Sequence, residues 1–208
     1  MHASGGAAPQ IRSAFAKAGI NELPPTAYDQ FEIYLELLLR WNLRMNLTAV
    51  REPEAIIRRH FVECAFAAQH LPRDITTLLD YGSGAGLPGI PIAICRPEIR
   101  VTLAEAQGKK VAFLSEALRV LTLAGEVFGG RVEAMPAQLG FDAVAMRAVE
   151  KQALAMPFAI RHAKHYLILF TTEESASAYV AEAPELRWLA PVAIPDTQQM
   201  VVAIGQRE

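Results

Sequence analysis

The sequence predicts an α/β domain: a seven-stranded, mostly parallel sheet ending in an antiparallel hairpin, with a helical N-terminal extension. Three observations predict it. Helical periodicity fills the chain up to about Leu71. From Thr76 onward, short apolar runs alternate with helical stretches, the pattern of an open parallel sheet with helices on both sides. Several of those runs lack polar alternation, as strands buried on both faces do.

The 208 residues, 52% of them hydrophobic, can bury a sizeable core and suit one domain with an appendage. High hydrophobicity with a net charge of -2 excludes global disorder. We divide the chain into a disordered tail (1–9), a helical extension (10–75) and a ligand-binding sheet domain (76–208), the last two integrated as one unit.

In the extension, Tyr28, Phe31, Leu35, Leu38 and Trp41 recur at three- and four-residue steps, which places them on one helix face. Trp41 therefore reads as a core anchor. Pro24-Pro25 breaks the chain before that helix. Pro53 opens another over Glu54–Gln69, as a first-turn proline can. The strand candidates are Thr77–Tyr81, Arg100–Glu105, Glu126–Gly129, Asp142–Arg147, Tyr166–Thr171, Trp188–Ile194 and Met200–Ile204. Helices are expected over Ile90–Cys95, Lys109–Leu123 and Lys151–Ala163. The short link from Pro195 to Gln199 makes the last two strands an antiparallel hairpin.

Twenty basic against 22 acidic residues exclude a polycation, so any nucleic-acid binding must come from a local patch. Cys64 and Cys95 are the only cysteines, with no Cys/His spacing for zinc. That usage suits a reducing cytoplasm, and no metal is expected. No apolar run approaches the ~18–20 residues of a membrane span, and the first nine residues lack the pattern of a signal peptide.

The strongest local feature is Asp80-Tyr81-Gly82-Ser83-Gly84-Ala85-Gly86-Leu87-Pro88-Gly89. It follows the first strand and precedes a helix, the place where glycines let a ligand approach backbone N–H groups. No Gly-Lys-Ser/Thr follows, so it is not a P-loop. A dinucleotide is the serious rival, because Gly82-x-Gly84 resembles the start of its fingerprint. Asp80 argues against it, since a carboxylate beside a pyrophosphate is unfavourable. The same carboxylate suits a ligand with an ammonium group, such as S-adenosylmethionine. Pro88 and Pro91 remove donors that a pyrophosphate would use. Glu105, at the end of the second strand, can accept both ribose hydroxyls of either cofactor.

The loop, extended through Ile90-Pro91-Ile92-Ala93-Ile94, resembles that of the glucose-inhibited division protein B family, the bacterial 16S ribosomal RNA guanine-N7 methyltransferases. Four further segments agree in order and spacing: Trp41-Asn42 with Met45-Asn46-Leu47-Thr48-Ala49; Arg59-His60; Gly108-Lys109-Lys110-Val111-Ala112-Phe113-Leu114; and Phe141-Asp142-Ala143-Val144 with Arg147-Ala148. The resemblance runs from about Tyr28 to Ala148. It implies a Rossmann-like class I methyltransferase fold and S-adenosylmethionine as cofactor. Gly82 and Leu87 match positions lining the methionine and ribose, Val132-Glu133 the pair bordering the adenine, and Arg147 an arginine at the cofactor edge. The chain departs from the family at four places. Glu63-Cys64 replaces Asp-Ser, and Met146 stands where a Ser commonly precedes the arginine. Thr171-Thr172 replaces Lys-Gly, and no basic residue lies near Gln198-Gln199.

Guanine N7 is an acceptor and carries no proton, so its methylation requires alignment rather than a general base. No catalytic acid or base is assigned; Arg147 is the candidate orienting residue. Residues 40–60 hold five arginines against two glutamates, a local excess of +3. Arg44, Asn46, Arg58, Arg59 and His60, with Lys109 and Lys110, are the candidate RNA-binding residues, a cluster able to hold phosphates. The expected partner is 16S ribosomal RNA or the small ribosomal subunit, bound by a cytoplasmic monomer. A small-molecule methyltransferase on the same fold and a relative that has lost catalysis are the alternatives.

Overall fold

The computed structural model describes residues 6–149, 152–197 and 199–207. Its first layer is helical: α1 (Ala8–Lys17), α2 (Ala27–Asn42), α3 (Pro53–Ile56), a π-helical segment (Ile57–Val62) and α4 (Glu63–His70). Helix α1 opens at Ala8, inside the stretch expected to be a disordered tail; residues 1–5 of that tail lie outside the described residues. The apolar stripe of α2 packs inward. Phe31 meets Phe15 edge-on at 5.0 Å and Phe61 at 5.1 Å, and Tyr34 stacks on Phe61 at 5.2 Å.

The sheet comprises β1 (Thr77–Tyr81), β2 (Arg100–Ala104), β3 (Gly125–Phe128), β4 (Phe141–Arg147), β5 (Ala163–Thr172), β6 (Leu186–Trp188), β7 (Val192–Ala193) and β8 (Met200–Arg207). Its order is β3-β2-β1-β4-β5-β8-β6, with β7 pairing β8 beside the path. The five strands β1 to β5 run parallel, and β8 is antiparallel to β5, β6 and β7. The connecting helices are α5 (Gly89–Cys95), α6 (Gly108–Leu121), α7 (Gln152–His162) and α8 (Glu173–Glu182). Of the helix expected over Lys151–Ala163, Lys151 lies outside the described residues.

The expected count of seven strands becomes eight. The run Trp188–Ile194 divides into β6 and β7, which pair with Gly205–Arg207 and Val201–Val202 of β8. Leu189, Ala190 and Pro191 stand between them, and Pro191 has no N–H for a ladder. Helix α8 has no counterpart in the expected helices; Thr172 caps it by accepting from the Ser175 N–H at 3.2 Å.

Side chains alternate across the sheet. Leu78 joins the core beneath α1, α2 and α4, and Leu79 joins the core beneath α7 and α8. Asp142 is a clamp at the amino end of the sheet. It accepts from the Thr76 and Thr77 N–H groups and the Thr76 hydroxyl at 2.7–2.9 Å. Burial alone would raise its pKa, but those bonds hold it at about 2. The register pairs Tyr81 with both Ala104 and Met146. The carboxyl ends of β1, β2 and β4 therefore lie level, and the strand order reverses at β1/β4, the position of a ligand crevice in open α/β sheets. Among the described residues no helix is long and apolar enough to cross a membrane.

Candidate functional site

The glycine loop leaves β1 at the reversal point. Its Ser83 N–H donates to the Ala104 carbonyl at 2.9 Å and its Gly84 N–H to Glu105 Oε2 at 3.0 Å, which ties it to the end of β2. From the helical layer, the Tyr34 hydroxyl donates to the Ala85 carbonyl at 2.6 Å. Burial raises the Tyr34 pKa, so this donor keeps its proton. Two glycines are sterically required. Gly86 has φ +86, and a Cβ there would be driven into Ile90. A Cβ on Gly89 would lie 2.5 Å from Leu103 Cδ2 and 2.8 Å from Asp80 Oδ2. The loop also contains a cis peptide bond, Leu87–Pro88.

Two adjoining cavities open over these strand ends. One, of about 420 Å³, is lined by the glycine loop, Leu47, Thr48, His60, Lys110 and Arg147. The other, of about 410 Å³, is lined by Tyr81, Val132, Glu133, Leu154 and Ala155. Gly82, Glu105, Gln107 and Val149 belong to both. Glu105 is held rigidly between them, its second oxygen accepting from the Gln107 N–H at 2.8 Å. Glu133 accepts from the Tyr81 hydroxyl at 2.8 Å. A larger cavity of about 520 Å³ lies elsewhere, between α1 and the π-helical segment.

Asp80 is 1% exposed and lines neither cavity. Its Oδ2 accepts from the Gly89 N–H at 3.0 Å, while Oδ1 is buried without a partner. Burial pushes its carboxyl up to about 7. Sequence reasoning put this carboxylate in contact with a ligand; the structure puts it beneath the loop, holding the start of α5.

Arg147 closes the first cavity. Its Nη2 donates to Glu63 Oε2 at 2.7 Å and to the Arg59 carbonyl at 2.9 Å, while its buried Nε has no partner. The same carbonyl accepts from His60 Nδ1 at 2.9 Å, which leaves His60 Nε2 to accept from the Thr48 hydroxyl at 3.0 Å. Burial, reinforced by the Arg147 charge, lowers the His60 pKa to about 4, so the ring is neutral near pH 7. Asn42 completes the network by accepting from the Leu47 and Thr48 N–H groups at 2.9 and 3.1 Å. The separated sequence signatures at Asn42, Thr48, His60 and Arg147 thus form one hydrogen-bonded wall.

The structure brings Gly82, Gly84, Leu87, Glu105, Val132, Glu133 and Arg147 to the two cavities. It divides the candidate RNA-binding set. Lys110 lines the first cavity, and Arg44 and Lys109 share a cleft of about 340 Å³ beside it. Asn46 and Arg59 are exposed. Arg58 lines the distant cavity under α1. His60 is 8% exposed and neutral, so it offers no cationic donor to a phosphate. Sequence reasoning missed Tyr34, Glu63, Gln107 and Leu154. Of these, Glu63 left a signal, because an acidic residue three positions after His60 falls on the same helix face. Cys64 and Cys95 are buried, and burial pushes the Cys64 thiol up to about 12. Among the described residues no group of His, Cys, Asp and Glu could hold a metal ion.

The family model for rRNA small subunit methyltransferase G matches residues 27–183. The chain is 46% identical over 121 residues to ribosomal RNA small subunit methyltransferase G of Xanthomonas oryzae, a match covering 58% of this chain and 56% of the relative. It is 39% identical over 145 residues to the protein of that name from Neisseria meningitidis serogroup B, covering 69% of each. The match thus spans little more than half of the first relative. Two solved structures share the fold. Ribosomal protein L11 methylase of Lactobacillus delbrueckii has a TM-score of 0.59 at 10% identity, covering 73% of this chain and 80% of that one. M. jannaschii TYW2 in complex with AdoMet has a TM-score of 0.53 at 14% identity, covering 67% and 71%.

Proposed function

The chain belongs to the rRNA small subunit methyltransferase G family, and on that premise we propose that it methylates N7 of a guanine in 16S ribosomal RNA, with S-adenosylmethionine as methyl donor. The observation that carries the reading is the pair of adjoining cavities above β1, β2 and β4, with a fixed carboxylate, Glu105, between them. An elongated ligand with a ribose at its middle suits that arrangement. The buried, unpartnered Oδ1 of Asp80 beneath the loop suits a ligand that is cationic above it.

When bound, S-adenosylmethionine presents a methyl group on a positively charged sulfur. The chain's own residues bind and align. Gly82, Gly84 and Leu87 form the floor for the methionine end. Glu105 takes the ribose hydroxyls, and Val132 and Glu133 border the base. Arg147, clamped by Glu63 and the Arg59 carbonyl, orients the reacting groups at the cavity wall. Because N7 has a lone pair and no proton, alignment and exclusion of water are the main tasks of the site. His60 is not required as a base, and its Nε2 already accepts from the Thr48 hydroxyl. The proposal includes a cytoplasmic location and the small ribosomal subunit or its RNA as partner.

The test is methyl transfer from labelled S-adenosylmethionine to 16S RNA and to small subunits from cells lacking the protein, with mapping of the modified base. Label on N7 of one guanine is expected. Label on adenine or cytosine would overturn the N7 assignment. Arg147→Ala is expected to lower turnover; unchanged turnover and cofactor affinity would remove its orienting role.

A further inference from the structure

The cleft beside the first cavity has no role in the chemistry described above. It lies between the turn that follows α2 and the start of α6, lined by Arg40, Trp41, Arg44, Met45 and Lys109. Its two walls also build the first cavity. Lys109 faces the cleft and its neighbour Lys110 the cavity; Met45 belongs to the cleft, and Leu47 to the cavity. The two spaces are therefore one residue apart on one wall and two apart on the other.

The charges of this cleft differ in kind. Arg40 is paired with Glu116 at 2.7 Å, and Glu116 also accepts from Trp41 Nε1 at 2.9 Å. That carboxylate fixes the back wall and neutralises Arg40. Arg44 and Lys109 are exposed and make no side-chain hydrogen bond or ion pair among the described residues. Two free cations thus flank a half-buried apolar floor in a chain whose net charge is -2. The floor is Trp41 and Met45, both half-buried; such side chains match those that proteins place against nucleic-acid bases, while the cations match phosphate.

We propose that this cleft is a second nucleotide subsite. It takes the nucleotide adjoining the target guanine, with its phosphate on Arg44 and Lys109 and its base against Trp41 and Met45. The assignment rests on the RNA-methyltransferase reading above. It adds a place where the substrate strand is gripped next to the reacting base, so that a single-stranded or opened segment is selected over a closed helix.

The test compares wild type with Met45→Ala, with Arg44→Glu/Lys109→Glu and with the milder Arg44→Ala/Lys109→Ala. The substrates are naked 16S RNA and small subunits, at several salt concentrations. Cofactor affinity and thermal stability are measured alongside. We expect the charge variants to raise the KM for RNA about tenfold and to flatten its salt dependence. Cofactor affinity and melting temperature should stay at wild-type values. Met45→Ala should raise KM as well, and removing the base next to the target guanine should erase the difference between it and wild type. Unchanged KM in the charge variants, with wild type active, would overturn the subsite alone. Loss confined to small subunits, with naked RNA unaffected, would assign the cleft to a ribosomal protein and overturn it too. A wild type that methylates no RNA would fell the underlying reading first.

Discussion

Two regions flank the first four parallel strands, residues 8–70 before them and residues 163–207, from β5 onward, after them. From the first, Tyr34 reaches the glycine loop, Leu47, Thr48 and His60 line the first cavity, and Glu63 holds Arg147. From the second, no described residue lines either cavity over the strand ends. Both regions bury extensive apolar surface against the same sheet, but only the first sends side chains into the cavities at its carboxyl edge. One of the four sequence departures from the family, Thr171-Thr172, lies at this end. Thr171 is buried at the end of β5, and Thr172 caps α8. They sit on the edge that builds structure rather than on the site. Met146, another departure, is fully buried with the α7 core, on the face opposite the helical layer.

Four predictions would break or sharpen this comparison. The largest effect is expected at the shared loop. Gly86→Ala combines a left-handed backbone with a Cβ driven into Ile90, and should cost about 3 kcal/mol while abolishing cofactor binding, measured by calorimetry. A melting temperature and affinity close to wild type would show that the loop tolerates a side chain. Next is Glu63→Ala. Glu63 and Arg147 are 8% and 14% exposed at their side chains, and an orphaned buried charge costs about 3 kcal/mol. Denaturant unfolding should show that loss, and the double variant with Arg147→Ala should recover part of it. A double variant that simply sums the two losses would mean that the pair is not coupled.

The third prediction concerns pH. Asp80 has a folded pKa of about 7, above its ordinary 3.8, through burial. The folded state therefore holds a proton that the unfolded chain has released, and stability falls as pH rises from about 4 to 7. His60, depressed by burial from 6.5 to about 4, works in the other direction. The unfolded chain takes the proton, and stability falls as pH drops through that same window. The two should largely cancel in wild type. Asp80→Asn should expose a profile that weakens toward acid, and His60→Gln one that weakens toward neutrality. Identical profiles in all three proteins would contradict both assignments. The smallest effect belongs to the far edge: Thr172→Ala should cost about 1 kcal/mol as a lost helix cap with cofactor affinity unchanged. A drop in affinity would connect that edge to the site.

The parallel strands, the α2 face and the glycine loop were legible in the sequence because each depends on local spacing. Leu78 and Leu79 are both buried on opposite faces of β1, which is why that run shows no polar alternation. What could not be read depends on contacts distant in sequence. Asp80 and His60 look like solvent-facing polar groups until Gly89, Arg147 and Thr48 close around them. Arg58 and Arg59 are neighbours in sequence, yet Arg58 turns toward α1 while the carbonyl of Arg59 serves the site. The break between β6 and β7 was signalled by Pro191 but hidden by the apolar residues around it.

The π-helical stretch Ile57–Val62 has a consequence for chain length rather than for side-chain identity. Such a segment holds one residue more than an ordinary helix of that height. Deleting one residue within it would restore regular winding with the flanking turns kept in place, and the Arg59 carbonyl, which now accepts from His60 and Arg147, would be taken up by the helix's own ladder to the N–H four residues on. Arg59, His60 and Glu63 could then no longer meet Arg147 together. A lost codon there would thus dismantle the wall of the site while leaving an apparently better helix behind.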